Sequence, residues 1–375
     1  MKRFLITLFI VVFIPICAFA QELDREAYEK TAESFSLSEI TDSLDSQTRE
    51  LLENLGVEDF DYENLLNLTP KRVFNALKNI VTGKAASPFL SMAEILILVM
   101  LSSLFKSMQS TIQSDSLSDV YSLASAVTIA LILCVKLNNA ITIACASLGI
   151  CANFIFAFIP IFAIIVVSTG SITVSLTTNA LLLGLAQIMN LISDKFFLPI
   201  INCFLGISIC AGLRPQLNLS RAVGTAKKYI TSAISVISAA FVSILSLKTA
   251  VASRADAIGM RSLRFAVNSV VPVIGSAISE GILSIQSYSD LIKSSVGVVG
   301  IIIVILIFLP SLVEILLWRL VISICLICSD LFDDKAVKAV LGAFNDTLML
   351  LCVLLVLSMV TTVISLGILL AARSV

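Results

Sequence analysis

Glu280 is a carboxylate placed where an apolar stretch is broken by a proline and a glycine. Asn268, Pro272 and Gly275 precede it within 265–285, a stretch that is marginal for an ordinary membrane span. Proline removes a backbone donor and glycine tolerates a turn, while an ionised group at mid-bilayer costs about 2.5–3.5 kcal/mol. We therefore expect a bend near Pro272–Gly275 that places Glu280 at a polar, protein-lined site on a transport route. The alternative is a carboxylate at the membrane interface.

Glu314 is a second carboxylate in an apolar run, four residues after Pro310. Trp318 and Arg319 follow one turn later, and a tryptophan beside an arginine is typical of the membrane–water interface. Glu314 is the other candidate for a polar pathway, again with an interfacial anchor as the alternative. Five asparagines could line such a route or merely join helices by hydrogen bonds: Asn153, Asn179, Asn190, Asn202 and Asn268.

The remaining residue types limit the chemistry. The chain has no histidine, which excludes Ser-His-Asp and Cys-His catalysis and histidine-ligated metals. Its glycines form no phosphate-binding loop, and Gly297-x-x-Gly300 is expected to permit close helix packing instead. The nine cysteines lie in apolar segments and are expected to act as small buried hydrophobes, Cys325-x-x-Cys328 included. We predict that the protein is not an enzyme and holds neither cofactor nor metal.

Composition identifies lipid as much of the solvent of this chain. Hydrophobic residues make up 58% and charged residues 14%, against about 25% charged residues in a soluble domain. The predicted fold is all-α, a polytopic membrane helix bundle over 88–375, with eight to ten apolar segments. Asp194 and Lys195 form a self-neutralising link between two of them. The segments are 89–105, 117–137, 140–168, 172–193, 196–213, 229–252, 296–309, 311–329 and 345–372, with a weaker one at 265–285.

The N-terminal end of the chain differs from this apolar body. Met1-Lys2-Arg3, an apolar run and Ala18-Phe19-Ala20 predict a signal peptide over 1–20, with an uncleaved anchor helix as the alternative. Residues 21–63 hold fourteen acidic and three basic residues, a net charge of −11. Residues 64–375 hold twenty basic and twelve acidic residues, a net charge of +8. An acidic, water-exposed head on a membrane body follows from this split.

The head, residues 21–87, is predicted to be a small acidic exported helical region. Thr69–Pro70 predicts the start of an amphipathic helix, because proline suits the first helical position. That helix lies either on the lipid head groups or within the head itself, and Ser87–Pro88 is expected to end it.

The prolines of the membrane body recur at matching intervals. The members of two pairs lie 39 and 38 residues apart, and the pairs are offset by 112 and 111 residues: Pro160 with Pro199, and Pro272 with Pro310. Internal repeats are common in transport proteins. We therefore predict that 150–255 and 262–375 are related units, with coincidence in an Ile-, Leu- and Val-rich sequence as the alternative.

The order of features resembles the stage III sporulation protein AE family of endospore-forming bacteria. Residues 262–275 read SLRFAVNSVVPVIG and residues 290–297 read DLIKSSVG, followed by an apolar run interrupted by a proline. The likeness covers 250–375 well and the overall plan of the rest loosely. Its best-marked piece is the PVxG segment that begins at Pro272.

The resemblance implies a permease-like subunit of the multiprotein channel that joins mother cell and forespore. It implies a place in the mother-cell membrane, with the N-terminal region facing the extracytoplasmic intermembrane space. The implied partners are the other subunits of the complex, a separate ATPase and, indirectly, a forespore membrane protein, without nucleic acid. Two hypotheses follow: a membrane conduit within a secretion-like assembly, which we favour, or a non-conducting membrane scaffold that holds the assembly together.

Overall fold

A computed structural model describes residues 70–112, 115–168, 174–213, 221–241, 243, 244, 247, 275–332 and 334–371. Within these ranges the chain is helical apart from the short turn around 332–334, and it contains no strand. The predicted all-α class is confirmed. The signal peptide and most of the acidic head lie outside the described residues, so both stay predictions.

Seven helices carry the described part of the chain: α1 (Pro70–Ile112), α2 (Asp115–Ser168), α3 (Val174–Ile192), α4 (Leu198–Leu213), α5 (221–241), α6 (Gly275–Leu331) and α7 (Lys335–Ala371). Helices α6 and α7 form an antiparallel hairpin, since only three residues separate them. This hairpin is the centre of the bundle. Helices α1 and α2 pack on α6, and α2, α3 and α4 pack on α7.

The core follows the central hairpin. Every residue of 301–310 is buried, and Trp318 is the largest fully buried side chain. Lipid tails are as apolar as these side chains, so close packing holds membrane helices together more than the exclusion of water does. Gly300 fits this account, because a Cβ there would lie 3.2 Å from the ring of Phe158. The packing role expected for Gly300 is confirmed.

Fewer helices span the bundle than the apolar segments predicted. Three pairs of segments are joined into continuous helical stretches, across Asn138–Asn139 in α2, across Asp194–Lys195 between α3 and α4, and across Pro310 in α6. The expectation of eight to ten spans counted each break as a chain reversal. The described residues contain five stretches long and apolar enough to cross a membrane: Lys78–Leu104, Ser122–Phe156, Leu183–Leu213, Gly300–Leu331 and Lys335–Gly367.

Helix α1 begins at Pro70, as Thr69–Pro70 predicted, but it does not end at Ser87–Pro88. It continues to Ile112 with Pro88 buried inside it. Neighbouring helices and hydroxyl side chains can compensate for a proline inside a membrane helix. Here Ser91 Oγ donates a hydrogen bond to the Ser87 carbonyl at 3.0 Å. Packing of α1 on α6 therefore overrides the local stop signal.

The junction of α3 and α4 is a five-residue π-helical turn, Ser193–Phe197. At its end the Leu198 N–H donates to the Ser193 carbonyl, five residues back instead of four. Pro199 follows, has no N–H, and in an α-helix would press its ring against the Lys195 carbonyl. Widening the preceding turn relieves that clash without ending the helix. Such π-turns are frequent at functional sites.

The predicted repeat of 150–255 in 262–375 stays a prediction. Pro272 and the rest of 248–274 lie outside the described residues, so the pairing of Pro160 with Pro272 has no described counterpart. For the second pair, Pro199 follows the π-turn, whereas Pro310 lies within α6.

Candidate functional site

The structure places the predicted site residues at separate points of the chain. Asn268 and Pro272 lie outside the described residues. Gly275 is the first residue of α6 and Glu280 lies in the second turn of that helix, while the surroundings of both side chains lie outside the described set. The bend expected near Pro272–Gly275 and the polar surroundings expected for Glu280 therefore stay predictions.

Glu314 lies far along α6 and forms an ion pair with α1. Its Oε2 atom accepts a hydrogen bond from Lys84 Nζ at 2.6 Å, and the two side chains are 11% and 26% exposed. Charge-assisted hydrogen bonds of this length are among the stronger polar contacts in proteins. Glu314 thus holds α1 against α6, and its charge is compensated from within the chain.

A carboxylate that the sequence did not single out joins four helices at the α6–α7 turn. Asp334 is buried, and its two carboxylate oxygens accept hydrogen bonds from Ser102 of α1 and Ser122 of α2, both at 2.6 Å. The same carboxylate caps α7 through the Val337 N–H at 3.3 Å, and Ser329 of α6 donates to the Asp334 carbonyl. In sequence Asp334 resembles any acidic turn residue, so only its place before a helix start was readable.

The two contacts of α1 fix its direction and register. Lys84 meets Glu314, and 18 residues later Ser102 meets Asp334, so α1 runs parallel to α6. At a rise of about 1.5 Å per residue, these contacts are about 27 Å apart along the bundle. Both ends of α1 are thus held to the central hairpin by polar contacts.

A third polar cluster is uncharged and lies between α2, α3 and α7. Asn190 is fully buried, and its Nδ2 donates to Thr362 Oγ1 at 3.3 Å and to Cys151 Sγ at 3.4 Å. One turn further along, Ser358 Oγ donates to Ser193 Oγ, in the π-turn, at 2.9 Å. We call these residues, together with Gln187, the polar seam: Cys151, Gln187, Asn190, Ser193, Ser358 and Thr362.

The seam contains acceptors without partners. Gln187 Oε1 and Asn190 Oδ1 are buried and have no hydrogen-bond partner among the described residues. The two residues are three apart and lie on the same side of α3. A buried polar atom without a partner costs about 1–3 kcal/mol, so each one calls for a physical explanation. Donors from water or from a polar solute would satisfy both oxygens.

The position of the seam on α7 is central in an uncharged stretch. Residues 347–371 contain no Asp, Glu, Lys or Arg over 25 positions, enough for one crossing of the hydrocarbon core. Ser358 and Thr362 lie near the middle of this stretch. Substrate sites of many transporters lie at the bilayer midplane beside interrupted helices. A neutral polar seam beside a π-turn has this arrangement.

Other polar and cysteine residues divide by exposure. Asn190 joins helices within the bundle, whereas Asn153 and Asn202 are exposed on its surface, and the side chains of Asn179 and Asn268 lie outside the described set. Asp194 and Lys195 pair at 2.8 Å, as expected, but within the π-turn and not in a link between spans. The expectation that every cysteine is buried is wrong for three exposed ones on α2 and α4: Cys134, Cys203 and Cys210.

Sequence comparison places the chain among known proteins. A family model described as stage III sporulation protein AE matches residues 57–373. A relative named stage III sporulation protein AE, from Bacillus subtilis (strain 168), is 22% identical over 240 residues. That alignment covers 64% of this chain and 60% of the relative, so it spans less than two thirds of the relative's length. No solved structure matches the chain.

Proposed function

The chain belongs to the stage III sporulation protein AE family, and we propose that it is the permease-like conduit subunit of a multiprotein channel between mother cell and forespore. In this proposal the five candidate spans lie in the mother-cell membrane and the acidic N-terminal region faces the intermembrane space. The partners are the other subunits of the complex, a separate ATPase and, indirectly, a forespore membrane protein.

The polar seam is the observation that supports a conduit. It places two unpartnered amide oxygens beside a π-turn, midway along the uncharged stretch of α7. Polar groups inside a membrane are costly and are commonly retained for the passage of a solute. Transient opening between α3 and α7 would expose the seam oxygens to water without breaking a charged contact.

Cys151 provides a built-in reporter for this opening, because its Sγ lies 3.4 Å from Asn190 Nδ2. The experiment uses a chain in which Cys151 is the only cysteine, treated in sporulating cells with a membrane-impermeant methanethiosulfonate. The matched control keeps only Cys325, which is equally buried but lies in the apolar core. We expect labelling of Cys151 and none of Cys325. Labelling of neither, or of both alike, would contradict a water path along the seam.

Substitution tests the same point through function. Asn190→Leu removes the seam amide, and we expect a loss of heat-resistant spores of about a hundredfold or more with unchanged membrane abundance. Asn202→Leu is the control, since Asn202 is an exposed asparagine on α4. Equal spore counts for the two variants would contradict a role of the seam in transport.

The scaffold hypothesis has its own support. Asp334 connects α1, α2, α6 and α7 through hydrogen bonds that serve assembly and need no solute. If the protein only holds the complex together, spore formation should follow the abundance and assembly of the complex in every variant. The Cys151 experiment separates the two hypotheses, because a dry seam is expected for a scaffold alone.

A further inference from the structure

An ion pair lies on the outside of the bundle, between α1 and α2. Glu94 Oε1 and Lys136 Nζ are 4.0 Å apart, and their side chains are 50% and 41% exposed. This distance exceeds that of a hydrogen bond, so both charged groups keep their hydrogen-bonding capacity for another partner. Exposed apolar side chains surround the pair. We call this surface the α1–α2 face: Leu90, Glu94, Ile97 and Leu101 of α1, with Leu131, Val135 and Lys136 of α2.

The face is contiguous and lies well inside two candidate spans. Its α1 members follow one another at intervals of four, three and four residues, so they share one side of the helix. Glu94 is ten residues or more from either end of Lys78–Leu104, and Lys136 is fourteen or more from either end of Ser122–Phe156. Neither side chain can therefore reach the end of its span.

Neither lipid nor water suits the whole face. Lipid would leave the two charges without solvation, at about 2.5–3.5 kcal/mol for each on insertion scales. Water would leave a contiguous apolar patch uncovered, with Leu90 at 67% and Val135 at 74% exposure. A protein surface with apolar side chains around opposite charges satisfies both parts at once.

We propose that the α1–α2 face binds a second copy of this chain across a two-fold axis. A two-fold interface uses the same surface on both copies and must be complementary to itself. A face that carries one negative and one positive group meets this condition. Rotation brings Glu94 of each copy to Lys136 of the other, while the apolar side chains pack together around the axis.

The test uses charge exchange between copies. Two versions of the full chain with different affinity tags are produced in the same cells, extracted in mild detergent, and one is captured while the other is quantified. Glu94→Lys paired with Glu94→Lys places four cations at the interface, and Lys136→Glu with Lys136→Glu places four anions. We expect at least a tenfold loss of co-capture in each case. Glu94→Lys in one copy with Lys136→Glu in the other should restore it, because both contacts between copies are again complementary.

Only contacts between copies predict this rescue. Within each single variant the pair inside the chain remains repulsive, so an effect on folding alone would persist in the mixed sample. The double variant Glu94→Lys/Lys136→Glu in both copies should associate like the unchanged chain and serves as the folding control. The corresponding changes at the exposed pair Asp330–Lys338, 2.5 Å apart near the α6–α7 turn, should leave co-capture unchanged. Absence of co-capture for the unchanged chain, or absence of rescue in the mixed sample, would overturn the proposal.

Discussion

Lys84 Nζ lies 2.6 Å from Glu314 Oε2, although the two residues are 230 positions apart in the chain. The contact brings together two charges that stand in separate apolar helices. Breaking a largely buried ion pair by removing one partner is more costly than replacing both, because the remaining charge loses its compensation.

We expect Lys84→Met to lower the free energy of unfolding by about 1–3 kcal/mol, because it leaves Glu314 buried without a partner. The double variant Lys84→Met/Glu314→Leu should recover much of this loss. Unfolding of the purified protein in detergent micelles measures both. Lys195→Met is the control and should leave stability unchanged, since the Lys195 side chain is 77% exposed. A double variant less stable than Lys84→Met would contradict the prediction.

Asp334 should be sensitive to the number of hydrogen bonds that its replacement can keep. Asp334→Ala removes the α7 cap and leaves the Ser102 and Ser122 hydroxyls without an acceptor, at a cost of about 2–4 kcal/mol. Asp334→Ser can still cap the helix and should lose less. The same unfolding measurement ranks the two variants. Asp330→Ala, at an exposed neighbour, is the control, and equal effects of all three would contradict the bonding scheme.

Gly212 marks the closest approach of α4 to α7. A Cβ at Gly212 would lie 3.3 Å from the backbone of Ala339 and Val340, which cannot rotate away as a side chain can. Gly212→Ala should therefore destabilise the protein by about 1–3 kcal/mol. Gly206→Ala on the same helix meets nothing within 4 Å and should be neutral or stabilising, by up to about 1 kcal/mol. The opposite order in thermal unfolding would show that α4 and α7 are not packed as described.

Glu280 remains the carboxylate predicted to face a transport route. Glu280→Gln should impair spore formation without lowering the abundance of the protein, because the shape is kept while the charge is lost. Glu280→Leu should in addition disturb assembly. Spore counts and membrane immunoblots measure the two effects. Full function of both variants would favour the scaffold over the conduit.

The N-terminal prediction concerns processing. We expect the mature protein to begin at Gln21, since Ala18-Phe19-Ala20 is the small-x-small site that closes the apolar run. N-terminal sequencing of the purified protein tests this, and an intact Met1 or Lys2 would identify an anchor helix instead. Protease added to intact protoplasts should remove residues 21–87 if this head is exported. Protection until lysis would reverse the topology.

Composition and local pattern determined the class of this protein. Long apolar runs with few charges require helices, because a helix satisfies its backbone hydrogen bonds within one segment wherever lipid replaces water. The start of α1 at Pro70 was readable for the same local reason. The packing role of Gly300 was readable as well, since small residues permit close helix contacts.

Tertiary structure decided what depends on distant neighbours. Pro88 and Pro310 read as breaks, yet both lie inside continuous helices, because packing on adjacent helices compensates for the lost backbone bond. Asn190 was ambiguous between a polar route and a helix contact, and Asp334 was not recognised at all. Their partners lie on helices far away in the sequence. Hydropathy is a property of each segment, whereas a hydrogen bond between helices depends on register, and only the packed bundle fixes that register.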